Sequence, residues 1–312
     1  MNVIQYIAHR DIDKSRWDAC IQKSYNGFVY SSSIYLDQMA DSWDAIILND
    51  YEAVLPLPWR KKWGISYIYP PAFTQQLGLI CSNKIYETLL PQFIETIPKK
   101  FRYIEMNLNA TNVVNDNNLF SRKNYTLNLA GDYESLKKGY SRSASRNINN
   151  ARVHDITVVE NAAYDDVIQL HRHRFKDEIG FREKDYKNLL SLLQQLTTAG
   201  SCYCIGALNN KGRLIAGSIY IIYKNRLYFI INGNTPESLQ SGATHLLMDH
   251  TIKKFSGQHF ILDFEGSDHP SFARFYEQYG ARPETYYFFM LNRLPWPLNL
   301  LKPGKKNPVS KL

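Results

Sequence analysis

The stretch LYFIINGNTP, residues 227–236, opens the part of the chain that decides the fold. Leu227–Ile231 is an apolar run of strand length, and the turn-forming residues after it predict that the strand ends there. Apolar residues then recur at helical spacing from Leu239 to Ile252. QHFILDF, residues 258–264, predicts a second strand, and residues 271–279 predict a short helix closed by Gly280. Polar residues follow both strands, which is where open α/β sheets bind ligands.

The length and composition indicate a globular protein of two domains. The chain has 312 residues, which suits two domains of roughly 150 residues each. Its four cysteines and eight histidines show no ligand spacing, so we predict no metal site. We recognise no signal peptide and no apolar run of the ~18 residues that a membrane span needs. A cytoplasmic protein without an integral membrane span is expected.

The net charge of +8 is concentrated in two segments. Residues 135–152 and residues 293–312 each hold five basic residues and no acidic one. Concentrated positive charge suits an anionic partner such as a phosphate, a tRNA or an anionic membrane surface. The alternative is a solvated basic surface without a partner.

The order of predicted elements is similar in the two halves of the chain. Each half reads as a helix pair, a meander of strands, a helix and a further strand, which indicates duplication of one α/β fold with a mixed sheet. We place the domains at residues 1–130 and 131–292, followed by a basic tail at residues 293–312.

Three stretches of the second half carry a resemblance to a known family. They are LKKGYSRSASRNINNA at residues 136–151, RLIAGSI at residues 213–219, and LDFEGS at residues 262–267 followed by FYEQYGA at residues 275–281. In their order and spacing they resemble the FemAB-like family, whose members join two GNAT-like acyltransferase domains. The resemblance implies two tandem GNAT-like domains, with an acyl donor entering where the fourth and fifth strands of the second domain splay apart.

The resemblance also implies an activity, which is transfer of an acyl or aminoacyl group to an amine. The co-substrate would be acyl-CoA or aminoacyl-tRNA, with no tightly bound cofactor, and the acceptor a peptidoglycan precursor or a small amino sugar or amino acid. The chain departs from the peptidoglycan branch because it lacks a long heptad run and has Phe275-Tyr276 where that branch tends to have Phe-Lys. Gly242 and Ala243 match only part of the GNAT phosphate loop. Both donors therefore stay open.

Candidate catalytic residues lie around the second strand. Tyr276 is the candidate acid that protonates the leaving group, or else a tyrosine packed at the helix surface. Asp263 and Glu265, two apart at a strand end, are expected to point the same way, as a base or as ligands of the acceptor amine. Alternatively, Asp263 caps the following turn and Glu265 is solvated. We expect Asp268 to cap the next helix and His269 to be a further acid/base candidate, both near the substrate.

Candidate binding residues lie on either side of that strand. Backbone N–H groups of Asn232, Gly233 and Asn234 can face a thioester or ester carbonyl. Lys138, Arg142 and Arg146 can hold phosphate of a nucleotide-linked precursor or of tRNA, since Arg142 and Arg146 share one helical face.

Two functions other than acyl transfer are also consistent with the sequence. One is a binding protein for an anionic ligand that kept the fold without catalysis. The other is a role at an anionic membrane surface, such as the inner membrane, led by apolar residues beside the lysines of the tail: Trp296, Leu298, Leu300 and Leu301.

Overall fold

The computed structural model describes residues 2–113, 117–176, 180–266 and 268–301, with Leu301 described by its backbone alone. This part of the chain forms two compact units, residues 2–122 with 285–301 and residues 123–284. The domain limits predicted at residues 130 and 292 stay a prediction about independently folding domains. Ser267 and the lysines of the basic tail, Lys302, Lys305, Lys306 and Lys311, lie outside the described residues.

The first unit contains three helices and a mixed sheet. Its elements, in chain order, are β1 Ile4–Ile7, α1 Lys14–Lys23, α2 Ser33–Met39, β2 Ser42–Leu48, β3 Ala53–Lys62, β4 Ile65–Ile68, β5 Ile80–Cys81, α3 Leu90–Thr96 and β6 Phe101–Leu108. The next strand, β7 Leu119–Asn128, leads into the second unit.

The second unit repeats this order with longer helices. Its elements are α4 Tyr133–Lys137, α5 Arg142–Val153, β8 Thr157–Glu160, α6 Tyr164–Arg174, α7 Glu183–Thr198, β9 Cys202–Leu208, β10 Leu214–Tyr223, β11 Arg226–Asn234, α8 Pro236–Ser241, α9 Ala243–Phe255, β12 Ile261–Asp263 and α10 Pro270–Glu277. A last strand, β13 Arg282–Asn292, returns the chain to the first unit.

The strands of the two units pair in the same order. In the first unit β1, β2, β3 and β4 pair antiparallel in turn, β6 joins β4 in parallel, and β13 closes antiparallel on β6. In the second unit β8, β9, β10 and β11 pair antiparallel, β12 joins β11 in parallel, and β7 closes antiparallel on β12. The predicted duplication of a mixed α/β fold is confirmed.

A separate hydrophobic core stabilises the second unit. Helices α5 and α9 bury their apolar residues against one face of the sheet, around Leu247, Tyr279 and Phe264. Helix α6 covers β10 and β11. No described helix is both long and apolar enough to cross a bilayer.

Two predicted boundaries, at the end of β11 and in the helix after it, were wrong. Strand β11 continues through Asn234, so Asn232, Gly233 and Asn234 are strand residues and not a turn. The predicted helix after it is two helices, because Gly242 adopts a left-handed conformation (φ 83°) that ends α8 and begins α9.

Candidate active site in the second unit

Strands β11 and β12 pair over a short length and then separate. Their parallel ladder joins Arg226–Tyr228 to Ile261–Asp263. Beyond Tyr228, β11 continues for six residues paired with β10, and among the described residues no strand pairs with its other edge. A register shift opposite Ile219 and Tyr220 leaves Ile230 as an extra residue in β11. The sheet therefore exposes unpaired backbone donors and acceptors along residues 229–234.

The side chains of Asn232 and Asn234 lie on the face of β11 opposite α6. Gly233, between them, faces α6 so closely that a Cβ atom there would lie 2.5 Å from the Val167 carbonyl oxygen. Gly233 is therefore required for helix packing. Successive strand residues face opposite sides, so Asn232 and Asn234 face the side of α5 and α9.

Three buried polar atoms on this side have no hydrogen-bond partner within the described residues. They are Oδ1 of Asn232, Oδ1 of Asn234 and Oγ1 of Thr244. Asn234 and Thr244 are only 8% and 7% exposed. Leaving such an atom unsatisfied costs about 1–3 kcal/mol. These two acceptors and one hydroxyl fit a ligand that brings hydrogen-bond donors of its own to the end of β11 and the first turn of α9.

Gly242 and Ala243 form the entry to α9, a helix of 13 residues. The predicted phosphate loop therefore does lie at a helix N-terminus, which attracts anions. A Cβ atom on Gly242 would lie 2.3 Å from the carbonyl oxygen of Asn147 in α5. Glycine is thus needed at this position both for its backbone conformation and for contact with α5.

Tyr276 is buried in an aromatic cluster on the same side of the sheet. Its ring centroid is 4.7 Å from that of Phe264 and 5.8 Å from that of Tyr125, and Phe264 contacts Phe229 on β11. The Tyr276 hydroxyl makes no hydrogen bond to any described residue. Burial, together with the charges of Glu265 and Asp263, raises the pKa of this phenol above its ordinary value. Tyr276 therefore holds its proton at neutral pH.

Asp263 is held by an ion pair that the sequence did not predict. Its Oδ2 lies 2.5 Å from Nη1 of Arg226, and its Oδ1 accepts the N–H of Glu265 at 3.0 Å. Burial of Arg226 alone would lower the pKa of its guanidinium, but the adjacent Asp263 carboxylate raises it overall. Asp263 therefore fixes the end of β12 and caps the turn, as one of the two sequence interpretations proposed.

Glu265 lies beyond the end of β12, so strand alternation does not set the direction of its side chain. Strand β12 ends at Asp263, and Glu265 adopts a left-handed conformation (φ 62°) that is unusual for a residue other than glycine. Its side chain is partly exposed. The chain thus leaves the sheet between the two carboxylates.

The cap of α10 is His269 and not Asp268. His269 Nδ1 accepts the N–H of Ser271 at 3.3 Å, while Asp268 Oδ1 accepts the N–H of Lys123 at 3.1 Å. Both residues are exposed. The prediction that Asp268 caps the helix was wrong because the proline at the first position of α10 places the cap one residue later.

Lys138 just after α4, and Arg142 and Arg146 on α5, are exposed, and among the described residues they make no ion pair. Arg142 and Arg146 lie one turn apart, opposite the buried residues Ala144 and Ile148. The N–H of Ser141, which caps α5, donates to the Gln278 carbonyl oxygen at 2.8 Å just after α10. This hydrogen bond links the start of α5, which carries Arg142 and Arg146, to the end of α10, which carries Tyr276.

A hydrogen-bonded chain of three polar side chains, which sequence analysis did not predict, lies near these basic residues. His245 on α9 lies between Tyr279 and Asn147, with its Nδ1 2.7 Å from the Tyr279 hydroxyl and its Nε2 3.2 Å from Asn147 Nδ2. Burial lowers the pKa of His245 to about 4. No sequence signal joins these three residues, because they meet only through the packing of α5, α9 and the end of α10.

Comparison with known proteins agrees with this geometry. Residues 138–280 match the model of the acetyltransferase (GNAT) domain family. FemX has a similar structure, with a TM-score of 0.66 and 13% identity over 93% of this chain and 98% of that one. No curated protein matches the sequence.

Two further solved structures are similar in fold. L-PGS from Bacillus licheniformis has a TM-score of 0.55 and 10% identity, over 93% of this chain and 95% of that one. The C-terminal domain of a putative lysylphosphatidylglycerol synthetase from Agrobacterium fabrum has a TM-score of 0.54 and 10% identity, over 93% of both chains.

Residues 138–280 thus match the GNAT domain family, and the fold over most of the chain is similar to that of FemX. GNAT domains use acyl-CoA as co-substrate.

Proposed function

We propose that the second unit transfers an acyl or aminoacyl group from an activated donor to an amine, with the donor lying along the unpaired edge of β11. The separation of β11 from β12 after Tyr228 carries this proposal. An extended ligand with amide or carbonyl groups can satisfy the backbone edge there. The partnerless atoms of Asn232, Asn234 and Thr244 offer side-chain contacts on the same face.

The reaction needs an oxyanion site, a base and an acid. The acceptor amine forms a bond to the carbonyl carbon, and the N–H groups of Asn232 and Asn234 at the open edge of β11 stabilise the oxyanion that results. The N–H of Gly233 between them points to β10 and does not take part. Glu265, which is partly exposed, takes the proton that the amine loses. When the tetrahedral intermediate collapses, the bond to the thiolate or the ribose oxygen breaks, and Tyr276 donates its proton to that leaving group.

Asp263 has a positioning role in this scheme. Its carboxylate is occupied by Arg226 and by the Glu265 N–H, so it sets the direction in which Glu265 leaves the strand. Asp268 and His269 lie exposed at the start of α10, where they can contact the acceptor amine.

The donor's phosphate groups would lie near the first turn of α9 and the basic residues of α4 and α5. Lys138, Arg142 and Arg146 suit either the phosphates of CoA or the backbone of a charged tRNA. An aminoacyl donor is supported by the fold shared with FemX and with a protein named as a lysylphosphatidylglycerol synthetase. The acceptor would be a small amine or a peptidoglycan precursor at the inner surface of the membrane.

The donor is tested by binding to the full chain. Titration calorimetry with acetyl-CoA, and filter retention of aminoacyl-tRNA, should show one donor binding and the other not. Arg142→Gln with Arg146→Gln should weaken the donor that binds by ~10-fold or more, since two charge-assisted contacts are lost. Lys187→Gln, an exposed lysine on α7 of the same unit, is the control. Binding of neither donor, or equal effects of both variants, would refute the proposal.

A further inference from the structure

The first unit has an end at which exposed tryptophans and unpaired cations meet. We call it the Trp-Lys face and define it as Lys61, Lys62, Trp63, Lys99, Arg102 and Trp296. None of these residues belongs to the second unit, which holds the candidate active site.

Strand pairing places all of these residues at one end of the sheet. Strand β3 ends at Lys62 and turns directly into β4, so Trp63 is at the tip of a hairpin. Strand β6 runs parallel to β4 and begins at the same end, just after Lys99. Strand β13 runs antiparallel to β6 and therefore finishes there, at Asn292 opposite Tyr103. Trp296 follows four residues later.

Both tryptophan side chains are largely exposed, so neither is part of the hydrophobic core. Trp63 is 86% exposed and Trp296 is 79% exposed. The hairpin turn has positive φ at Trp63 (49°) and Gly64 (78°), a conformation for which asparagine or aspartate is the usual first residue. Trp296 is held in place because Asn292 Nδ2 donates to the Asn299 carbonyl oxygen at 3.2 Å. Neither the turn nor the core explains a tryptophan at these positions.

The charge around the tryptophans is positive and uncompensated. Lys61, Lys62, Lys99 and Arg102 are exposed and, within the described ranges, make no ion pair. The acids at this end of the sheet are already paired, since Asp41 contacts Arg60 at 3.4 Å and Asp44 contacts Lys100 at 3.5 Å. The face therefore presents two large amphipathic rings beside cations that have no ion-pair partner among the described residues, and Lys62 Nζ lies 4.7 Å from the centroid of the Trp63 ring.

We propose that the Trp-Lys face docks on an anionic phospholipid bilayer. Indole rings partition to the headgroup level of a membrane, where their apolar body is buried and the N–H group stays hydrated. Lysines beside them are attracted to anionic headgroups. Leu300, which is 66% exposed in the turn after Trp296, adds apolar surface to insert. An exposed leucine can insert into a bilayer but does not contribute to RNA binding. These residues therefore favour a bilayer over RNA as the partner.

Vesicle binding by the full chain tests this proposal. The chain should cosediment with phosphatidylcholine vesicles that contain about 30% phosphatidylglycerol, and not with pure phosphatidylcholine. The double variant Trp63→Ser, Trp296→Ser should bind at least ~10-fold more weakly, and so should Lys61→Gln, Lys62→Gln. Ile85→Ser is the control, because Ile85 is 64% exposed but follows β5, which pairs with the opposite end of β3.

Three results would overturn the proposal: equal binding to both vesicle types, unchanged binding by the tryptophan variant, or retention of RNA without binding of vesicles. Donor binding to the second unit should be the same in all these variants. A failure of membrane docking is therefore distinguishable from a failure of the acyl-transfer proposal.

Discussion

Arg226, the first paired residue of β11, and Asp263, the last paired residue of β12, form an ion pair across the two strands just before they separate. Nη1 of Arg226 lies 2.5 Å from Oδ2 of Asp263, whose side chain is 1% exposed. The ladder between the strands covers only the residues from Arg226 to Tyr228 and from Ile261 to Asp263. The ion pair therefore fixes the point from which the candidate donor site opens.

Removing one partner of this ion pair should destabilise the protein more than removing both. Asp263→Asn removes the carboxylate nearest to a nearly buried guanidinium, whereas Glu284 lies 3.9 Å away. A loss of about 3 kcal/mol in the free energy of unfolding is expected for Asp263→Asn and for Arg226→Met. The double variant Arg226→Met, Asp263→Asn should lose less than either single variant, by urea denaturation. Additive losses would show that the pair does not act as a unit.

Gly242→Ala should destabilise the second unit strongly. The substitution adds the cost of a left-handed residue to a clash with the Asn147 carbonyl oxygen at 2.3 Å. Gly257→Ala is a matched control, because Gly257 has a similar φ of 73° and nothing within 4 Å of the added Cβ. The control should lose about 1 kcal/mol and Gly242→Ala at least twice that, by urea denaturation. Equal losses would mean that α5 moves away without cost.

Tyr276→Phe should lower the rate of transfer without loosening the fold. A positioned general acid contributes on the order of 10²-fold or more to the rate, so kcat should fall by about that factor while KM for the donor stays unchanged. The free energy of unfolding should change by less than about 0.5 kcal/mol, because the hydroxyl has no partner among the described residues.

Tyr220→Phe is the control for that experiment. Tyr220 is fully buried, and its hydroxyl accepts a hydrogen bond from Thr251 at 3.2 Å. This variant should lose stability and keep its rate. If Tyr276→Phe transferred at the wild-type rate, Tyr276 would not be the acid.

Two buried histidines should make the protein less stable in acid. Burial lowers the pKa of both His171 and His245 to about 4. In the unfolded chain they titrate near about 6.5, so between pH 6.5 and 4 the unfolded state binds more protons. Stability is therefore complete above pH 6.5 and falls as the pH drops, by up to about 3 kcal/mol for each residue.

Urea denaturation at several pH values measures this loss. His171→Gln and His245→Gln should each reduce the dependence of stability on pH below 6.5. A wild-type free energy of unfolding that is constant from pH 7 to pH 4.5 would contradict both assignments.

The sequence predicted the repeated α/β order because apolar periodicity and turn residues are local signals. It placed Asn232, Gly233 and Asn234 in a turn because those residue types favour turns, but pairing with β10 extends the strand through them. Glu265 was expected to follow strand alternation, but the strand ends at Asp263. Arg226 and the Tyr279–His245–Asn147 chain were not predicted, since their partners are distant in sequence and meet only through packing.

Hydrogen exchange followed by mass spectrometry tests most directly whether the donor lies along β11. Peptides that cover residues 229–234 should exchange their unpaired amides quickly in the free protein, because one edge of the strand has no partner. Saturation with the donor that binds in calorimetry should slow exchange in these peptides and in the first turn of α9, with no change in the first unit. Exchange at residues 229–234 that is unchanged by a bound donor would contradict the account.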